Sequence, residues 1–243
     1  MIVNYKENGW EITTQRAHGV LAAQLASHWR KADRDKRWVE TLVAIADHDD
    51  AQVELQRDDL LTATGGPVNF KMREFKLEHG QRTMEFSISK SRYIALLCSM
   101  HLTFIAGEPK EWDKKMKQFF ADQKQCRALW LKELKLTNAE AQYNYDLLEW
   151  CDALSLLICQ HDNQPEARAV EISRGPDDKP YQLIQTSIGE LTVDPWPFEK
   201  RQFTVFYENR LINKLAFKDC FEFKQCFEEA QVNETSWKLV KKA

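Results

Sequence analysis

The chain is poor in glycine, with 8 among 243 residues, about half the ~7% of an average protein. Few positions can then take a positive φ without cost, which disfavours a meander of tight turns and favours long helices. No run approaches the ~20 apolar residues that a membrane span requires. The opening Met1–Lys6 shows no basic stretch leading into an apolar one, so no signal peptide is expected. The 6 Cys form no Cys-x-x-Cys pair, and Cys98, Cys151 and Cys159 lie in apolar runs, where a free thiol behaves as a small hydrophobe. A reducing cytoplasm is the expected compartment. There is no Gly-rich phosphate loop and no Gly-x-Ser-x-Gly. A net charge of -3 supplies no basic field for polyphosphate backbones, so no nucleic-acid platform is expected.

What is present is a globular composition, 43% hydrophobic and 29% charged, read as a single domain over 1–243. Ile2–Tyr5 and Trp10–Ile12 flank Glu7-Asn8-Gly9 and predict a hairpin. Apolar periodicity predicts helices over 15–30, 37–50, a broken stretch 70–89, 91–106, 112–133 and 138–161, the last capped by Thr137-Asn138-Ala139-Glu140. After Gln164-Pro165 the composition turns β-rich at Tyr181–Thr186, Leu191–Val193, Phe203–Tyr207 and Trp237–Val240. Glu208-Asn209-Arg210 reads as a turn and 217–230 as a helix. The expected fold class is α+β, mainly α. A helical bundle over about 14–164 would carry a small antiparallel sheet made by 1–13 together with 165–243. The lysines of Lys110–Lys124 read as a solvated helix face.

The chemistry-bearing residues fall on the apolar stripes. His18 shares a helical face with Leu21, Ala22, Leu25 and Trp29. Trp38, Leu42, Ile45 and Asp49 align, with His48 at the edge of that stripe. Ile94, Leu97, His101 and Phe104 align, as do Tyr145, Leu148, Asp152, Ser155 and Cys159. Met72, Phe75, His79 and Phe86 roughly share a face. Taken singly, an inward His also fits a core imidazole bonded to a carbonyl. An inward Asp needs hydrogen bonds, a counter-charge or a metal, or it takes up a proton. A shared divalent cation (Fe, Mn, Zn or Ni, one or two ions) satisfies both residue types. Adjacent helical residues diverge by ~100°, so His48 and Asp49 reach one ion only if it lies close to their helix.

The order His18, His48-Asp49, Asp152 resembles the HD-domain superfamily of metal-dependent phosphohydrolases, which are helical and bind a divalent metal through an H…HD…D signature. By that resemblance the fold is an HD-like bundle and His18, His48, Asp49 and Asp152 are ligands of a first metal. Two further His between the HD pair and the last Asp resemble the dinuclear branch, which includes cyclic-dinucleotide phosphodiesterases and diiron oxygenases. His79 and His101 would then serve a second metal, with Asp49 bridging. The whole chain also resembles an uncharacterised bacterial family, a domain of unknown function. Gln15-Arg16-Ala17-His18, Ala44–Asp50, Ala95–His101, Cys151–Leu156 and Trp196-Pro197-Phe198 carry that likeness. It departs from that family at Ala51-Gln52, where Gly-Trp tends to follow the HD pair.

The expected function is a metal-dependent hydrolase, of a phosphoester, with a small-molecule substrate. Asp49 would hold the metal, and Asp50 is a candidate base or an orienting partner for a ligating His. Asp50 equally fits a solvated carboxylate. Lys90 and Arg92 are candidates for phosphate contact. A diiron oxygenase with the same ligands is one alternative. The other is a metal-free, non-catalytic binding module that docks through Asp194–Phe198, a segment that also fits a plug between helices and sheet. A homodimer is left open.

Overall fold

The structure is a computed structural model and describes residues 1–108 and 112–242. Strands β1 (Ile2–Lys6) and β2 (Gly9–Thr13) form the expected hairpin, with Gly9 already paired to Lys6. Thr14 follows at once and caps α1 (Gln15–Ser27), its hydroxyl accepting from Ala17 N. Helices α2 (Trp38–Asp47), α3 (Leu77–Lys90), α4 (Arg92–Ile105), α5 (Lys114–Leu134) and α6 (Asn138–Cys159) follow the apolar periodicity. Ser91 accepts from Ile94 N and so separates α3 from α4. At the head of α6, Thr137 and Glu140 form a reciprocal capping box. No described helix is long and apolar enough to cross a membrane.

The strands overturn the expected architecture. After α6 come β3 (Ala169–Arg174), β4 (Pro180–Ser187), β5 (Glu190–Asp194), β6 (Gln202–Ile212), α7 (Cys220–Glu229) and β7 (Val232–Val240). All seven strands join one sheet in the order β1-β2-β6-β7-β5-β4-β3. The sheet is curled into a half-barrel, and it is mixed because β5 and β7 run parallel. The protein is therefore not a mainly helical, HD-like bundle with a small antiparallel sheet. Its sheet is a full layer, and residues of α1, α4 and α6 share one apolar core with β4, β5, β6 and β7.

Two local readings account for the difference. Glu208-Asn209-Arg210 do not turn; they extend β6 and pair with Glu234, Asn233 and Val232. Alternating burial runs unbroken from Phe203 to Asn209, and the Asn209 amide is spent on Thr235 Oγ1 at 2.7 Å rather than on its own backbone. Strand β7 accordingly starts at Val232 instead of Trp237. Strand β3 sits at the sheet edge with half its residues exposed, so its polar sequence hides it.

Trp29, just past the end of α1, and Trp150 of α6 meet edge to face at 5.1 Å, and Tyr181 of β4 and Phe198 close the cluster. Phe198 is buried there, and Pro197 O accepts from Arg30 N. The Asp194–Phe198 segment thus plugs the junction between helices and sheet. On α5, Lys114, Lys115, Lys117 and Lys124 are exposed, whereas Lys110 and Glu111 lie outside the described residues.

Candidate metal centre

Four helices, α1, α2, α4 and α6, bring the inward polar residues together. Gly19 sits where α1 crosses α2: a Cβ there would lie 2.4 Å from Ala46 O. Only glycine lets the helices approach this closely, and the approach sets His18 against His48, ring centroids 5.1 Å apart. His48 follows the last residue of α2 and keeps helical backbone. On its other side stands His101 of α4, centroids 4.9 Å apart. Asp49, in the turn after α2, and Asp152 of α6 flank this row. All five residues are buried.

Hydrogen-bond partners fix where the imidazole protons point. His48 Nδ1 lies 2.7 Å from Ile45 O. A carbonyl can only accept, so Nδ1 carries the hydrogen and Nε2 of the neutral ring is a lone pair. That Nε2 is buried without a hydrogen-bond partner among the described residues, yet it lies 3.3 Å from Asp152 Oδ1 and 3.9 Å from Asp49 Oδ2. His18 repeats the pattern. Ser155 Oγ donates to Asp152 O at 2.8 Å and therefore accepts from His18 Nδ1 at 3.0 Å. His18 Nε2 then faces Asp49 Oδ2 at 3.4 Å, lone pair against carboxylate. Asp49 is held in place by the amides of Gln15 at 3.0 Å and Gln52 at 3.1 Å.

Such an arrangement calls for positive charge between the groups. A proton is one source. Burial pulls the His48 imidazolium down, but Asp152, then Asp49 and the Ile45 carbonyl, outweigh it and lift the group to about 9. His101 goes the other way, pushed down to about 4 by burial and by the His48 charge, and stays neutral. Burial would raise both carboxylates, yet the imidazoles hold Asp49 and Asp152 below the usual range. One proton on His48 still leaves His18 Nε2 against Asp49.

A cation is the other source, and the residues fit one. Nitrogen-to-oxygen spacings of 3.3 to 3.9 Å suit neighbouring positions around an ion with bonds of ~2.1 Å. Ligand atoms of His18, His48 and Asp152 lie within 4.8 Å of one another, as do those of His48, Asp49 and His101. Because Nδ1 of His48 is bonded to Ile45, that ring has a single free nitrogen, so both sets describe one centre.

Other predicted residues lie elsewhere. His79 belongs to neither set; it lines the neighbouring cleft, its Nε2 buried and without a partner among the described residues. Asp50 turns to Arg16 at 2.7 Å, Lys90 pairs with Asp47 at 3.3 Å, and Arg92 pairs with Glu133 at 2.7 Å. Three cations the sequence did not suggest, Arg57, Arg73 and Lys76, line the cleft of about 350 Å³ onto which Asp49, His101 and Asp152 open. They come from a stretch of short turns without periodicity, so no pattern marks them.

A family described as "Protein of unknown function (DUF3891)" matches residues 1–214, and the chain belongs to it. No curated protein and no solved structure matches the chain.

Proposed function

We propose that this member of the DUF3891 family is a metal-dependent hydrolase of a small phosphoester, with one divalent ion held by His18, His48, Asp49 and Asp152 and with His101 on the cleft side. One observation carries the reading: His48 Nε2, the lone-pair nitrogen of the neutral ring whose Nδ1 hydrogen goes to Ile45 O, is buried without a hydrogen-bond partner among the described residues 3.3 Å from a carboxylate oxygen. The H…HD…D order of these residues resembles the HD superfamily, and the reading borrows that side-chain chemistry without its fold. A divalent ion in such a set lowers the pKa of a bound water and polarises a phosphoryl oxygen.

The chain's own residues do the rest. Ser155 and Ile45 orient the two imidazoles, and Gln15 and Gln52 orient Asp49. His101, a member of the second ligand set, lines the cleft on the open side of the centre. Arg57, Arg73 and Lys76 give that cleft a cationic wall, which favours an anionic substrate.

Elemental analysis of the purified chain tests this. About one Fe, Mn, Zn or Ni per chain is expected, with release of nitrophenolate from nitrophenyl phosphates that a chelator stops and added metal restores. A protein that purifies without metal, and whose melting temperature ignores chelator, overturns the reading. Two irons per chain with dioxygen uptake would assign it instead to oxygenase chemistry.

A further inference from the structure

The cleft continues away from the imidazoles to a second concentration of charge. Arg57 Nε and Nη2 donate to the two carboxylate oxygens of Asp59, each at 2.9 Å. Lys76 Nζ donates to Asp59 Oδ2 at 2.7 Å. Arg73 Nη1 lies 3.0 Å from Asp59 Oδ1, and its Nη2 donates to Asp59 O at 2.8 Å. Three permanent cations thus converge on a single carboxylate.

The nearby acids do not complete the balance. Asp58 is taken by Lys224 at 3.1 Å. Glu54 is taken by the Met1 amine and by Gln15 N. Glu74 and Glu78 are exposed and make no bond to the three cations among the described residues. A fourth cation, Arg82, has among the described residues only the neutral Gln56 amide oxygen, at 2.9 Å, for a hydrogen bond. Lys76 is also the N-cap residue of α3 and supplies no side-chain cap there.

The geometry is that of a junction. A second cavity of about 520 Å³ shares Arg57, Lys76 and His79 with the cleft of the metal centre. Besides the cations and the residues of the metal centre, the cleft is lined by the apolar side chains of Phe70, Phe75, Phe104, Ile105 and Leu156.

We propose that Arg57, Arg73 and Lys76 form an anion subsite, that it receives a second phosphate or carboxylate of the substrate, and that Asp59 is an internal stand-in which that group displaces. Asp59 suits the part: its side chain is 44% exposed and can swing into solvent, while a phosphate offers the same forked geometry to Arg57 with more charge. The substrate class follows from the lining: an organic phosphoester with an apolar or aromatic body and a second anionic group. The assignment of the bond to be cut rests on the hydrolase reading; anion capture does not.

The test uses the full chain, stripped of metal by chelator, titrated with inorganic phosphate and pyrophosphate by calorimetry. The wild type should bind pyrophosphate. Asp59→Asn should tighten binding at least tenfold, and Arg73→Gln and Lys76→Met should each weaken it at least tenfold, in variants that keep the wild-type circular dichroism spectrum. Lys115→Met, on the exposed face of α5, should leave the affinity unchanged. Weaker binding by Asp59→Asn, or no binding by any variant, overturns the subsite. Binding that appears only with metal restored also overturns it, because the anion would then sit on the ion. If the anion binds as expected but the chain never holds metal, the subsite stands and the hydrolase reading falls.

Discussion

Asp49 and Asp152 are buried and face the Nε2 atoms of His18 and His48, whereas Asp59, in the cavity that adjoins their cleft, is 44% exposed and grasped by three cations. The residue type is the same and the electrostatic condition is opposite. The buried pair has too little positive charge near it, and the exposed Asp has too much. The difference shows that a carboxylate's surroundings, and not its presence, say what a site would take: a cation at one end of the cleft and an anion at the other.

The contrast can be broken most severely at the buried end. Asp152→Ala or His48→Ala should abolish bound metal in elemental analysis and cost ~3–5 kcal/mol in urea unfolding, since the remaining partners are left buried and unpaired. Asp59→Ala, although it removes more ion contacts, should cost under ~1 kcal/mol because its pairs are open to solvent. Equal losses at the two ends would erase the distinction.

A second change probes the scaffold of the buried end. Ala replaces Gly within a helix with a gain of ~1 kcal/mol when nothing interferes. Gly19→Ala should instead destabilise by ~1–3 kcal/mol, because its methyl meets Ala46 O. It should also weaken metal retention against a chelator series although no ligand is touched. A stabilised variant would show that the contact of α1 with α2 does not position His18.

His79 lies between the two ends. His79→Ala should leave metal content per chain unchanged, because His79 is outside both ligand sets. A halved content would move it into the centre.

The smallest effect concerns a carboxylate–imidazole pair that has no need of an ion. Glu11 bonds directly to His161 near the surface. Burial would raise its carboxyl, but the bonds from His161 and Asn4 bring it from 4.5 to about 2. A lowered carboxylate stabilises above its unfolded pKa, so this contribution is present above about pH 4.5 and is lost as pH falls through about 2. Acid unfolding of Glu11→Gln should be flatter than wild type over that window, and chelator should alter neither curve there.

The helices and the buried residues of the centre were legible because both obey one periodicity: a helix that hides Leu21 and Leu25 also hides His18, and one that hides Leu148 hides Asp152. The sheet was not. Strand β3 is an edge with exposed alternate residues, and the middle of β6 carries turn-forming Glu208-Asn209-Arg210, whose conformation is decided by pairing with β7 far along the chain. Arg57, Arg73 and Lys76 were illegible for another reason. They sit among short turns, where no repeat relates a residue's number to its direction, and only the folded chain brings them onto Asp59.

That separation along the chain has a consequence for change over time. The imidazoles hang from long helices locked into the core, while the guanidinium groups hang from connecting turns between Glu54 and Leu77. Drift can rewrite the second inventory while sparing the first. Relatives that keep His18, His48, Asp49 and Asp152 could therefore part company in what they select without parting company in what they do to it.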